Sequence, residues 1–276
     1  MKLAFSTNAF IKKSLTFAIK SIAKSGYEGI EIVVDSPHAF LPLKQSRLDA
    51  IRKNLRNYSL EVTNLNANTV AGWHKKIPHT GYFEPSLSNN DEKLRKWRIR
   101  YTKNAIDMAC ELEAPSISIT SGVMNNTNVE KNIRNFQHSL EEIADYAEQK
   151  DVLIGIEYEP GLLVGSSADL LSIVPRKYRN IGLNFDVCHA AVLNENISLV
   201  IRKFKNKLFH THISDCKNKI HYHLIPGLGD INFNSMYKAL QMINYKGFLT
   251  AELYTYSDQP QQAAKSTYKY LNNLVR

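Results

Sequence analysis

A recurrence constrains this chain more than any single motif: short apolar, β-branched runs alternate eight times with longer stretches whose apolar residues fall at helical spacing. The runs cover residues 3–6, 29–34, 60–65, 116–120, 152–156, 181–185, 208–213 and 248–253. Strands joined through helices pair in parallel, and a parallel sheet needs both faces covered. Eight such units predict one (β/α)8 barrel over residues 1–276, close to the roughly 250 residues typical of that architecture. An open doubly wound sheet would carry an early glycine-rich phosphate turn, and neither GxGxxG nor a P-loop occurs. No linker rich in Gly, Ser or Pro marks a second domain.

The first connection shows the local logic. Ser14 is an N-cap, Leu15, Ala18, Ile19 and Ile22 form one apolar face, and Gly26 closes the helix. Further helices are expected over 43–58, 91–112 and 127–149. Between the third strand and the helix at 91 runs a polar segment, 66–90, with Trp73, His74, Pro78, His79 and Gly81. Loops of that length usually serve as lids or binding loops, which makes His74 a candidate substrate contact.

With 43% hydrophobic and 22% charged residues, the composition is that of an ordinary globular protein. No signal-peptide pattern and no apolar run of about 20 residues occurs, so a cytoplasmic address and no membrane partner are expected. Cys110, Cys188 and Cys216 show no CxxC pairing, which argues against a disulfide framework or a thiolate zinc site. A net charge of +9 either coats solvated helices (Lys93, Arg95, Lys96, Arg98, Arg100, Lys103) or supplies a field for an anionic substrate. No block is basic and aromatic together, as a nucleic-acid surface would be.

Barrel enzymes carry their chemistry at the C-terminal ends of the strands, so polar residues that terminate apolar runs are the ones to weigh. The fifth run ends in Glu157, the sixth in Asp186, the seventh carries His212 and the eighth Glu252. One acid at a strand end is commonly a helix cap. Four successive strands ending in three carboxylates and an imidazole make instead a hard, oxygen-rich site for one divalent metal, with Mn2+, Mg2+ or Co2+ favoured and Zn2+ possible. Glu159 shares a side with Glu157 by the period of two, and joins the candidate substrate contacts.

His189, three residues beyond Asp186, is expected to touch substrate rather than metal. His210 reads as a hydrogen-bonded core residue or one that supports a ligand, and Asp215 as a holder of the His212 ring. Glu31, with the segment 35–38, either reaches the pocket or is structural. The stretch 221–230 has glycines at 227 and 229 and reads as a binding loop, its backbone N–H groups and His223 offered to an anion.

These residues resemble the xylose isomerase-like TIM barrels, which include sugar phosphate isomerases and epimerases, ketose 3-epimerases and endonuclease IV. The resemblance spans nearly the whole chain. It rests on Gly26-Tyr27-Glu28-Gly29-Ile30-Glu31, Ile154-Gly155-Ile156-Glu157, Asn184-Phe185-Asp186-Val187-Cys188-His189, His210-Thr211-His212-Ile213-Ser214-Asp215, Pro226-Gly227-Leu228-Gly229-Asp230-Ile231-Asn232-Phe233 and Thr250-Ala251-Glu252-Leu253. It implies that Glu157, Asp186, His212 and Glu252 bind one divalent metal, that Glu157 and Glu252 double as acid and base, and that His189 contacts a substrate oxygen. The implied reaction is proton transfer beside the carbonyl of a sugar, sugar phosphate or related polyhydroxy ketone. Glu159 stands where the family more usually has an uncharged residue.

Three other readings share the fold. A dehydratase of the 3-dehydroshikimate type would expel a hydroxyl group after the same proton abstraction. Endonuclease IV-like DNA repair is favoured by the net charge and by the 223–229 spacing, but its several metals call for histidines where the third strand has Asn64, Asn66 and Asn68. A non-catalytic binding protein would have no use for an intact quartet. Homo-oligomerisation is common among such enzymes, and no segment marks an interface.

Overall fold

Period-two alternation decides what each strand offers to either side. In the computed structural model, which describes residues 1–74, 83–124, 128–175 and 177–276, eight strands close into a parallel barrel in sequence order. They are β1 (Lys2–Ser6), β2 (Gly29–Val33), β3 (Glu61–Asn66), β4 (Ser116–Ile119), β5 (Leu153–Ile156), β6 (Ile181–Asp186), β7 (Leu208–Ile213) and β8 (Phe248–Ala251). β8 pairs with β1 through Lys2↔Phe248 to Phe5↔Ala251, which leaves no open edge. The expected (β/α)8 barrel is therefore the observed one.

The helices are α1 (Leu15–Lys24), α2 (Gln45–Asn57), α3 (Glu92–Glu111), α4 (Val129–Glu148), α5 (Ser167–Ile173), α6 (Val187–Val192), α7 (Ile197–Lys203), α8 (Phe233–Met242) and α9 (Pro260–Val275). Ser14 caps α1 by accepting Phe17 N–H at 3.2 Å, and Gly26 follows its C-terminus at φ +104°. Ile30, Ile32, Leu65, Ile117, Leu183 and Leu249 join the helix residues Ile19, Ile22, Leu140, Ile143 and Leu240 in one buried apolar cluster. Each such side chain contributes about 1.5–3 kcal/mol of burial. Pro78, His79, Gly81 and Thr127 lie outside the described residues.

The inner face of the barrel is polar. Glu31 on β2 and His212 on β7 are not neighbouring strands, yet His212 Nε2 lies 2.7 Å from Glu31 Oε2, so the contact crosses the lumen. Asn64 donates to Glu31 at 2.8 Å and to Ser118 at 2.9 Å, and accepts from Ser116 at 2.7 Å. Buried polar groups persist only when paired in this way.

One surface expectation fails: Arg98 is 1% exposed. Its guanidinium turns inward from α3 and donates to Ala67 O at 2.7 Å, where the chain leaves β3. Among the described residues no helix is long and apolar enough to cross a membrane. All three cysteines are free, Cys188 and Cys216 buried and Cys110 exposed.

Candidate active site

Glu157 and Glu252 each stand one residue past their strands, Asp186 ends β6, and His212 lies within β7. The register pairs Asp186 with His212, and His212 with Thr250, so these side chains emerge at one level of the mouth. One donor atom from each of Glu157, Asp186, His212 and Glu252 lies within 4.8 Å of the others, and all four residues are buried.

Asp186 shows that capping and site-building are compatible. Its Oδ1 accepts Cys188 N–H at 2.6 Å and His189 N–H at 3.2 Å, capping α6. Its Oδ2 is buried without a hydrogen-bond partner. An orphaned carboxylate oxygen beside two more carboxylates and an imidazole is a donor set that a divalent cation satisfies and that few other groups would. The four residues fit a metal.

The imidazole of His212 lies between two acids, with Nδ1 donating to Glu157 Oε1 at 2.7 Å and Nε2 to Glu31 Oε2 at 2.7 Å. Burial works against charge on this ring, but Glu252, Glu31 and Glu157 outweigh it and hold its pKa well above the ordinary value. Burial pushes the Glu157 carboxyl upward, with His212 pulling the other way. For Asp186 burial is overcome by His189, His223 and His212, which keep its pKa below the usual range.

The candidate substrate contacts divide. His189 Nδ1 donates to Tyr158 O at 2.8 Å, which leaves Nε2 4.0 Å from Asp186 Oδ2 on the pocket side. His223 Nδ1 lies 3.3 Å from Glu252 Oε2, and its Nε2 3.9 Å from Asp186 Oδ2. Burial opposes a charge on His223, yet Asp186 and Glu252 carry its pKa to about 9. Glu159 follows in the turn after β5; burial lifts its pKa to about 7, opposed by His189 and helped by Glu157. His74 stays with its own loop, its Nε2 donating to Glu84 O at 2.8 Å, and no hydrogen bond or ion pair joins it to the quartet among the described residues.

Two sequence expectations are corrected. Asp215 does not hold the His212 ring. Its carboxylate accepts the N–H groups of Cys216, Gly227, Gly229 and Ile231 at 2.8–3.1 Å. Glu31 takes the place beside His212 instead. The same bonds correct the glycine loop, whose N–H groups at 227, 229 and 231 are committed to Asp215 and not open to an anion. Gly229 is required there, because a Cβ would fall 2.2 Å from Cys216 O and 2.4 Å from Asp215 Oδ1.

Two contacts were not expected. Asn66 Nδ2 lies 3.4 Å from Glu252 Oε1, and His221 Nε2 lies 3.3 Å from His223 Nε2. The first follows from period two, Asn66 after Asn64 on β3, a signal that was present in the chain, whereas His221 lies in the loop after β7, outside any strand.

The fructoselysine 3-epimerase of Shigella flexneri is 26% identical over 100% of this chain and 98% of its own. The crystal structure of a D-tagatose 3-epimerase-like protein superposes with a TM-score of 0.80 at 24% identity, covering 100% of both chains. That of the IolI protein with a bound zinc atom gives a TM-score of 0.80 at 21% identity, covering 100% of this chain and 98% of that one. At such identities the two structures bear on the fold alone. Residues 19–274 match the family model described as xylose isomerase-like TIM barrel, and the chain belongs to that family.

Proposed function

We propose that this chain is a divalent-metal-dependent isomerase or epimerase acting on a sugar, sugar phosphate or related polyhydroxy ketone. The observation that carries the reading is the convergence of Glu157, Asp186, His212 and Glu252 on one point of the barrel mouth. The epimerase activity named for the Shigella relative, which aligns from end to end, supports the same reaction class, and the zinc of the IolI structure is in keeping with a metal site. Bound to the quartet, Mn2+, Mg2+, Co2+ or Zn2+ would act as a Lewis acid that makes the C–H beside the substrate carbonyl more acidic and stabilises the charge that develops on oxygen.

The protein's own residues do the rest. Glu157 and Glu252, from β5 and β8, are the proton-transfer pair: one takes the proton from carbon, and the other returns a proton to the opposite face or to the neighbouring carbon. His189 offers Nε2 to a substrate oxygen because Nδ1 is fixed on Tyr158 O. His223 and Glu159 lie beside the quartet, within electrostatic reach of Glu157 and Glu252.

The test is metal analysis of the purified protein followed by incubation with a panel of ketoses and keto-acids in D2O. Deuterium entering at the carbon beside the carbonyl, abolished by chelation and by Glu252→Gln, is the expected result. Loss of water from a cyclic hydroxy-ketone without any epimer formed would replace this reading with a dehydratase.

A further inference from the structure

Glu31 stands behind the quartet and not in it. We infer that Glu31 is a positioning residue of the cation site: by accepting the Nε2–H of His212 it keeps Nδ1, the ring nitrogen a cation would take, turned toward Glu157, Asp186 and Glu252. This rests on the metal-dependent reading above.

A neutral imidazole carries one N–H, and whichever nitrogen bears it cannot ligate a cation. A carboxylate can only accept, so Glu31 Oε2 at 2.7 Å keeps a proton on Nε2, and the proton on Nδ1, which lies 2.7 Å from Glu157 Oε1 and 3.6 Å from Glu252 Oε2, is the one an entering cation would replace. Oε2 itself is held in place. Asn64 Nδ2 reaches it at 2.8 Å while Ser116 and Ser118 hold the same amide, and a flip would set the amide oxygen against Glu31 Oε2, which can only accept. Glu31 and Asn64 are register partners on β2 and β3, so the backbone ladder sets their spacing. Glu31, Asn64 and His212 are all 0% exposed, and no solvent competes for these bonds.

A purely structural role explains less. Burying a carboxylate in a barrel lumen is costly, and apolar side chains fill such a space with no penalty. The contacts of Glu31 also converge on one oxygen, Oε2, which lies 3.2 Å from His210 Nε2 as well, while Oε1 has no hydrogen-bond partner among the described residues. A carboxylate present only to satisfy its surroundings would use both oxygens. The arrangement is that of an outer carboxylate that orients a ligating histidine and raises its basicity.

The experiment titrates Mn2+ into the metal-free parent, Glu31→Gln and Glu31→Ala, following free Mn2+ by electron paramagnetic resonance, with circular dichroism and thermal unfolding in chelator as fold controls. The expected result is saturable binding by the parent and a loss of affinity of about 10–100-fold in Glu31→Ala. Glu31→Gln, which still accepts Nε2–H through its amide oxygen, should fall between. Imidazole 15N spectra of the parent loaded with Zn2+ need no variant and should place the His212 proton on Nε2. A folded variant that binds Mn2+ within about twofold of the parent, or a His212 proton on Nδ1 in the loaded parent, overturns the inference. A parent that binds no Mn2+ defeats the metal reading itself, whereas a binding parent with unmoved variants defeats only the role of Glu31.

Discussion

Buried acids occur in two settings in this barrel, and what fills their oxygens differs. At the roots of two loops, Asp35 and Asp215 are saturated by the chain. Asp35 accepts the N–H groups of Ser36, Val70, Ala71 and Gly72 and the Thr69 hydroxyl at 2.7–2.9 Å. Asp215 accepts the N–H groups of Cys216, Gly227, Gly229 and Ile231. At the strand ends, among the described residues, the Glu157 carboxylate hydrogen-bonds to the His212 ring alone, Glu252 meets Asn66 and two imidazoles, and Asp186 keeps one oxygen without a hydrogen bond, faced by two imidazoles at 3.9–4.0 Å. Burial alone does not mark a functional acid. The mark is acceptor capacity that the protein has not used for itself.

The comparison predicts opposite phenotypes. Glu157→Gln and Glu252→Gln should each reduce turnover by about 10^2–10^4-fold, the usual worth of a proton-transfer group. Their metal-free stability in urea should fall by no more than about 1 kcal/mol, less than the loop acids lose, since glutamine keeps an acceptor oxygen for the imidazole while one of several crowded carboxylates is removed. A large loss of stability in either variant would show that these acids hold the fold, as the loop acids do.

Asp215→Ala strands four backbone donors, each worth about 1–3 kcal/mol if it stays buried. Because the loop is partly open to water, a total loss of about 3 kcal/mol in urea denaturation is expected, and Asp35→Ala should behave alike. If instead Asp215→Ala keeps its stability and loses metal, the division drawn here is wrong. Gly229→Ala forces a methyl group against Asp215 and Cys216 O, and should cost about 1–3 kcal/mol through the same loop. His74→Ala removes one bond within its own loop. It should cost about 1 kcal/mol and leave Mn2+ affinity unchanged, which calorimetry would check.

The barrel was legible because eight apolar runs at regular spacing leave few topologies open, and the ends of those runs exposed the quartet. The roles behind it were less so. Asp215 and Asp186 look alike in sequence, each an acid after a strand, and only folding decides that one meets a ring of N–H groups and the other a shared cavity. The glycines at 227 and 229 were legible as bend points, but the carboxylate that claims the loop's N–H groups lies a dozen residues earlier, a distance no local pattern reports. Arg98 reads as one cation among several on α3, since nothing in the helix announces that its face meets the end of β3. Glu31 could be read either way because its partner, His212, is 181 residues distant.

The central claim is that Glu157, Asp186, His212 and Glu252 together hold one divalent ion, and the most direct measurement is the stoichiometry of Mn2+ binding to the chelated protein by calorimetry. The account predicts one equivalent per chain, lost in His212→Ala and in Asp186→Asn while both variants remain folded. Saturable binding that survives both substitutions, or none in the parent, would contradict it.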